Sequence, residues 1–237
     1  MSKILSDITK KLSKKSLRVN HNKDTIVETG MVDVSKNTSH IDLALIDVVK
    51  WAPGWMTGAE RLLLYTLIYS VRPRRYLEIG TFQGGSALIV EAAMKSAESD
   101  GTLTLVDPEP HIADEHWNIL KRRSFLVEEY SPAALPKARQ IAGGLFDFVL
   151  IDGDHSYEGV VRDGNGIIPF LTPGAHILFH DSFNPAVRRG IDEVVNDERN
   201  TITSLGTLTR EVTYMESPDH VAVSWGGLLL AQFRPRP

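Results

Sequence analysis

From Arg75 onward the chain alternates short apolar runs with longer segments whose apolar residues recur every three to four positions. A short run of the first kind reads as a buried strand, and the second pattern as an amphipathic helix. The strands are YLEIG (76–80), TLTLVD (102–107), SFLVEEY (124–130), FDFVLIDGD (146–154) and AHILFHD (175–181). Helical periodicity covers GSALIVEAAMKSA (85–97), ADEHWNILKRR (113–123), PAALPKARQIA (132–142), YEGVVRDGNGIIPFL (157–171) and NPAVRRGIDEVVNDE (184–198). Strands alternating with amphipathic helices predict βαβ units and a mostly parallel sheet. The pattern then breaks: TSLGTLTREVTYMES (203–217) and HVAVSWGGLLLAQFR (220–234), separated only by Pro218 and Asp219, leave no room for a helix. They predict an antiparallel pair at the sheet edge.

Upstream, WAPGWMTGAERLLLYTLIYSV (51–71) places a Pro-Gly turn before a helix, with Thr57 as its cap and Glu60 three residues on. The first 20 residues carry six basic residues and one acid, with Ile4, Leu5, Ile8 and Leu12 on one helical face. They predict a solvated or oligomer-packing basic helix, the alternative partner being an anionic membrane surface. Residues 21–40 are polar and read as an irregular arm. The expected organisation is an extension over 1–50 and one α/β domain over 51–237, with no internal repeat.

A chain of 237 residues suffices for one such domain with a full core. A net charge of −4 gives no electrostatic reason to expect nucleic acid as the main partner. The absence of cysteine excludes disulfides, zinc-thiolate sites and cysteine nucleophiles. No apolar run approaches the roughly 20 residues of a membrane span. The N-terminus also lacks the apolar core of a secretory signal, so the expected location is the cytoplasm.

The candidate chemistry sits at the carboxyl ends of the strands. Tyr76–Ser86 reads YLEIGTFQGGS: a strand ending in Glu78, a turn with Gly80, Gly84 and Gly85, then a helix. Such a turn brings backbone close to a ligand, and the first helical turn offers unpaired N–H groups to an anion. A dinucleotide fingerprint needs G-x-G-x-x-G. Here the pattern is E-x-G-x-x-x-G, with Phe82 where the second glycine would stand. Asp107 ends the second strand, where an acid can accept both ribose hydroxyls of an adenosine-containing ligand or instead cap the next turn. The fourth strand ends in Asp152, Asp154 and His155, and the fifth in His180 and Asp181. Adjacent parallel strands share a crevice there, so the two clusters should face each other. Five titratable groups so close need a cation or a proton network, and oxygen-rich ligation suits Mg²⁺ or Mn²⁺. The alternative is turn chemistry, with structural histidines and Gly153 supplying an awkward dihedral. Arg188 and Arg189 follow, either steering an anionic acceptor or sitting on a solvated helix face.

The E-x-G-x-x-x-G turn resembles motif I of the class I S-adenosylmethionine-dependent methyltransferases. IDGDHSYEGVVRD, PGAHILFHDS and VRRGIDEV together resemble the macrocin-type and wider metal-dependent sugar and catechol O-methyltransferases, over roughly Trp51 to Val195. That resemblance implies a Rossmann-like fold: a doubly wound, mostly parallel seven-stranded sheet with a C-terminal antiparallel hairpin. It implies S-adenosylmethionine held by Glu78, Gly80, Thr81, Phe82, Gly84, Ser86, Asp107 and Asp152. It implies a divalent metal on Asp152 and Asp181, with His180 as a third ligand. His180 and Ser182 flank Asp181 where the family has Asp or Asn. Asp154, two positions after the first ligand, is the implied general base, with His155 as competitor. The implied reaction is methyl transfer to the hydroxyl of a small molecule or sugar, in a chain that can form a homo-oligomer. The competing readings are an NAD(P)-dependent oxidoreductase and a catalytically inactive binding protein of the same fold.

Overall fold

The computed structural model describes residues 43–216 and 222–235. The expected basic helix and polar arm before residue 41 lie outside them. Helix α1 (Val48–Trp51) leads through the Pro-Gly turn into α2 (Gly58–Val71). The Thr57 hydroxyl accepts from the Glu60 N–H, and the Glu60 carboxylate accepts from the Thr57 N–H at 2.6 Å. This is the expected reciprocal cap. Val48 and Ala52 are buried in the core beside α2.

Five parallel strands follow: β1 (Arg75–Ile79), β2 (Thr102–Val106), β3 (Ser124–Val127), β4 (Phe146–Ile151) and β5 (Leu171–Phe179). They alternate with α3 (Gly85–Ser96), α4 (Asp114–Leu120), α5 (Leu135–Ala142), α6 (Tyr157–Ile167) and α7 (Pro185–Asn196). Alternate residues of each strand face opposite layers. Leu77 and Ile79 join Val149 and Ile151 in one core cluster, while Tyr76, Phe148 and Leu150 join α2 and α3 in the other. The seven-stranded sheet has the order β3-β2-β1-β4-β5, continued by β9 (Leu229–Phe233) and then β6 (Ile202–Thr207). The order reverses between β1 and β4, and a crevice opens there beyond the carboxyl ends. Among the described residues no helix is long and apolar enough to cross a membrane.

The C-terminal antiparallel pair is present but built differently from a single hairpin. Each of the two segments divides, giving β6 (Ile202–Thr207), β7 (Thr213–Glu216), β8 (Ala222–Trp225) and β9 (Leu229–Phe233). Strand β9 lies antiparallel between β5 and β6, whereas β7 and β8 form a separate two-stranded sheet. Gly226 and Gly227, both at φ +93, break β8 from β9 in a backbone region that side chains other than glycine rarely adopt. Helix α6 is also shorter than its periodicity, because Pro169 diverts the chain into a 3₁₀ turn (Ile168–Phe170) and β5 starts early at Leu171.

Candidate active site

Glu78, at the end of β1, is fully buried, and its carboxylate accepts from the hydroxyls of Tyr76, Thr81 and Ser86 at 2.8, 3.1 and 2.8 Å. Burial raises its pKa to about 7, even though the three hydroxyls favour the ionised form. Glu78 therefore holds the glycine-rich turn from behind and does not reach the open crevice. Gly80 (φ +86) must be glycine, since a Cβ would lie 2.1 Å from the Asp152 carbonyl oxygen.

Asp107 sets the outer edge of the same turn. Its Oδ2 accepts from the Thr81 and Phe82 N–H groups at 2.8 and 2.7 Å, and its Oδ1 from the Glu109 N–H at 2.8 Å. The carboxylate caps the turn and also lines the crevice. A carboxylate offers about four lone-pair sites, which leaves room for a ligand hydroxyl. Phe82 is held at φ +44, a strained position for an aromatic residue, with its ring between Trp55 and His111. The crevice is a cavity of about 670 Å³. Gly80, Thr81, Phe82, Ser86, Asp107 and Asp152 line it, whereas Glu78 and Gly84 sit outside its wall.

At its far end β4 and β5 bring Asp152, His155, His180 and Asp181 together, with one ligand atom of each within 4.8 Å of the others. His180 Nδ1 is 2.8 Å from Asp152 Oδ1 and 3.3 Å from Asp181 Oδ2. His155 Nε2 is 3.0 Å from Asp181 Oδ2 and 3.4 Å from Asp152 Oδ1. Burial alone would lower the pKa of either imidazole, but the two carboxylates prevail. They raise His155 to about 9 and His180 well above its ordinary value. Burial would likewise raise both carboxylates, and the imidazoles instead hold Asp152 and Asp181 below their ordinary value. Each imidazole thus lies between the same two carboxylates. Asp181 sits at φ +55 and its Oδ1 accepts from the Gly226 N–H at 2.6 Å.

Sequence reading missed Glu60 as part of this network. It is fully buried, its Oε1 accepts from the Gly227 N–H, and its Oε2 faces His180 Nε2 at 3.5 Å. Burial raises its pKa, but His180 and Thr57 more than offset this and lower it overall. Only its helix-capping position was legible, because nothing local indicates that α2 begins against β5. Asp154 lines the crevice but stands apart from the four-residue cluster, accepting from the Ser156 N–H at 2.9 Å with Arg162 at 3.6 Å. Arg188 pairs with Asp192 at 2.8 Å and Arg189 covers the Tyr157 ring at 4.1 Å, so both belong to the α7 surface.

The donor set fits a divalent ion. Ligand atoms tetrahedrally placed 2.0–2.2 Å from one ion stand about 3.4 Å apart; the four imidazole–carboxylate spacings here are 2.8–3.4 Å, and all four donors lie within 4.8 Å of one another. His180 also has a carboxylate behind its second nitrogen, the support that metal-bound histidines commonly have. Two imidazoles among the donors favour Mn²⁺, Fe²⁺ or Zn²⁺ over Mg²⁺.

Residues 77–182 match the family described as a methyltransferase domain. An uncharacterized protein of Acanthamoeba polyphaga mimivirus is 29% identical over 137 residues, 52% of this chain and 59% of that protein. The chain thus spans under two thirds of that relative's length. Among solved structures, an O-methyltransferase of Streptomyces achromogenes involved in tomaymycin synthesis, in complex with S-adenosylmethionine, superposes with a TM-score of 0.58 at 18% identity. The match covers 85% of this chain and 94% of that one. An O-methyltransferase of Bacillus cereus bound to S-adenosylhomocysteine has a TM-score of 0.51 at 18% identity, covering 85% and 95%. The fold is shared with these enzymes.

Proposed function

We propose that this chain, which carries a methyltransferase domain over residues 77–182, transfers the methyl group of S-adenosylmethionine to a hydroxyl oxygen of a small molecule. One observation carries the reading. A single crevice holds both the glycine-rich turn capped by Asp107 and the Asp152–His155–His180–Asp181 cluster. The cofactor's amino acid part belongs at the turn and its ribose at Asp107. Its sulfonium then faces the carboxylates at the end of β4. Methyl transfer is an in-line displacement, so the main task is to hold the acceptor oxygen opposite the S–CH₃ bond. Asp152, Asp181 and His180, with His155 alongside, would hold a divalent ion, which when bound lowers the pKa of a hydroxyl placed beside it. Both imidazoles would hold it through neutral nitrogens.

The proton goes to Asp154. Its carboxylate is kept below the ordinary pKa by the Ser156 N–H and, more weakly, by Arg162, so it is ionised at neutral pH. His155 Nε2, 3.0 Å from Asp181 and 3.4 Å from Asp152, would instead turn its lone pair to the ion beside those carboxylates. The test is calorimetry with S-adenosylhomocysteine, followed by methyl transfer over a panel of hydroxylated compounds with and without Mn²⁺. Asp154→Asn should lose on the order of 10²-fold in rate with cofactor affinity unchanged. Failure to bind S-adenosylhomocysteine overturns the reading. The dinucleotide alternative lacks its fingerprint here and would need NADH to bind instead.

A further inference from the structure

Arg61, in the first turn of α2, is half-buried and reaches back to the segment that precedes its own helix. Its Nε donates to the Met56 carbonyl at 2.8 Å and its Nη2 to the Gly54 carbonyl at 2.7 Å. Its Nη1 donates to the Ala52 carbonyl and, at 3.5 Å, to that of Val49. All three guanidinium nitrogens thus hold carbonyls of one strap, residues 49–56. Among the described residues, 53–56 make no backbone–backbone hydrogen bond. The Arg61 side chain supplies what a helix or a strand would otherwise provide. A guanidinium presents its five N–H donors in a fixed planar fork, whereas a lysine ammonium presents three from a single point.

The strap crosses the start of α3, where a Cβ at Gly85 would lie 1.6 Å from the Pro53 carbonyl oxygen. Pro53, Gly54, Trp55 and Met56 line the crevice, as the glycine-rich turn does, and the Trp55 ring stands 6.1 Å from that of Phe82. Trp55 is nonetheless 81% exposed, so burial does little to fix its ring. What fixes it is the backbone on either side, since the Gly54 and Met56 carbonyls that flank Trp55 both end on Arg61. Arg61 itself is not among the residues that line the crevice.

Resting on the methyltransferase reading, we infer that Arg61 is a positioning residue for the cofactor. It acts through the strap, by holding Trp55 at the mouth of the crevice beside the glycine-rich turn. With residues 49–56 already set, S-adenosylmethionine binds without first ordering them, and the entropy of that ordering does not weaken its binding.

The test is calorimetry with S-adenosylhomocysteine on the full chain, in wild type, Arg61→Lys, Trp55→Ala and the Arg61→Lys/Trp55→Ala double variant. Arg61→Lys keeps the charge but loses the fork, and it should weaken binding fivefold or more. Trp55→Ala should weaken binding by a comparable factor. In the Trp55→Ala background, Arg61→Lys should cost less than a further threefold, because the ring it positions is gone. An arginine that merely stabilises the fold would lower the melting temperature and leave the binding constant alone, or weaken binding equally in both backgrounds. A loss under fivefold in Arg61→Lys, or a further loss of threefold or more in the double variant, overturns the inference. Failure of wild type to bind S-adenosylhomocysteine would overturn the methyltransferase reading instead. Hydrogen exchange then still decides whether Arg61 holds the strap. Amides of residues 49–56 should exchange faster in Arg61→Lys while those of β1 and β4 are unchanged, and equal exchange over the strap would show that the fork does not fix it.

Discussion

The Glu78 carboxyl is buried among three hydroxyls, and its pKa of about 7 in the folded chain compares with 4.5 for a free side chain. Between those values the folded state keeps a proton that the unfolded state has lost. This contribution to stability is complete below pH 4.5 and lost as pH rises through about 7. The displacement corresponds to about 3 kcal/mol. Urea denaturation of wild type and Glu78→Gln at pH 5 and pH 8 should show the wild type losing more stability between the two. Parallel behaviour would mean that Glu78 is ionised throughout. Asp107 carries a different load. Asp107→Ala removes the acceptor for two N–H groups of a strained turn and, on the proposed function, the ribose partner as well. It should weaken S-adenosylhomocysteine binding by about 2 kcal/mol and lower the melting temperature as well. A lower melting temperature with unchanged affinity would leave Asp107 with the turn alone.

Helix α2 shows how one element serves both stability and site. Thr57→Ala removes only the cap and should cost about 1 kcal/mol. Glu60→Ala also leaves the Gly227 N–H and the His180 ring without their acid, so it should cost clearly more, about 2 to 4 kcal/mol. Equal costs in chemical denaturation would reduce Glu60 to a cap. Helix α3 begins at Gly85, where a Cβ would stand 1.6 Å from the Pro53 carbonyl oxygen. Gly85→Ala must therefore push the α1–α2 connection away from α3, at about 3 kcal/mol. A loss under about 1 kcal/mol would show that this connection yields freely.

At the scale of the whole molecule, the sheet order separates two halves of one crevice: the glycine-rich turn after β1 and the acid/imidazole cluster after β4 and β5. A reagent acting on one half should leave the other intact. Exhaustive chelation should abolish methyl transfer while changing S-adenosylhomocysteine affinity no more than a few-fold. Full activity after chelation would mean that Asp152 and Asp181 act through hydrogen bonds alone.

By itself the chain determined its elements, because strand and helix periodicities and the punctuation of Gly, Pro and caps are local properties. The five βα units, the reciprocal cap at Thr57 and Glu60, and the acids at the strand ends were all legible in that way. The topological rule that adjacent parallel strands share a crevice also placed Asp152 beside Asp181. Only the tertiary structure decided what each acid does. Whether a carboxylate meets water, a backbone N–H or an imidazole depends on partners far away in sequence. Glu78 thus became a buried brace, Asp107 a cap as well as a wall, and Glu60 a neighbour of His180, 120 residues distant. The division of the C-terminal segments was settled the same way. The two-residue period reads equally for one hairpin or two, and only the seating of β9 between β5 and β6 left β7 and β8 to cover the crevice.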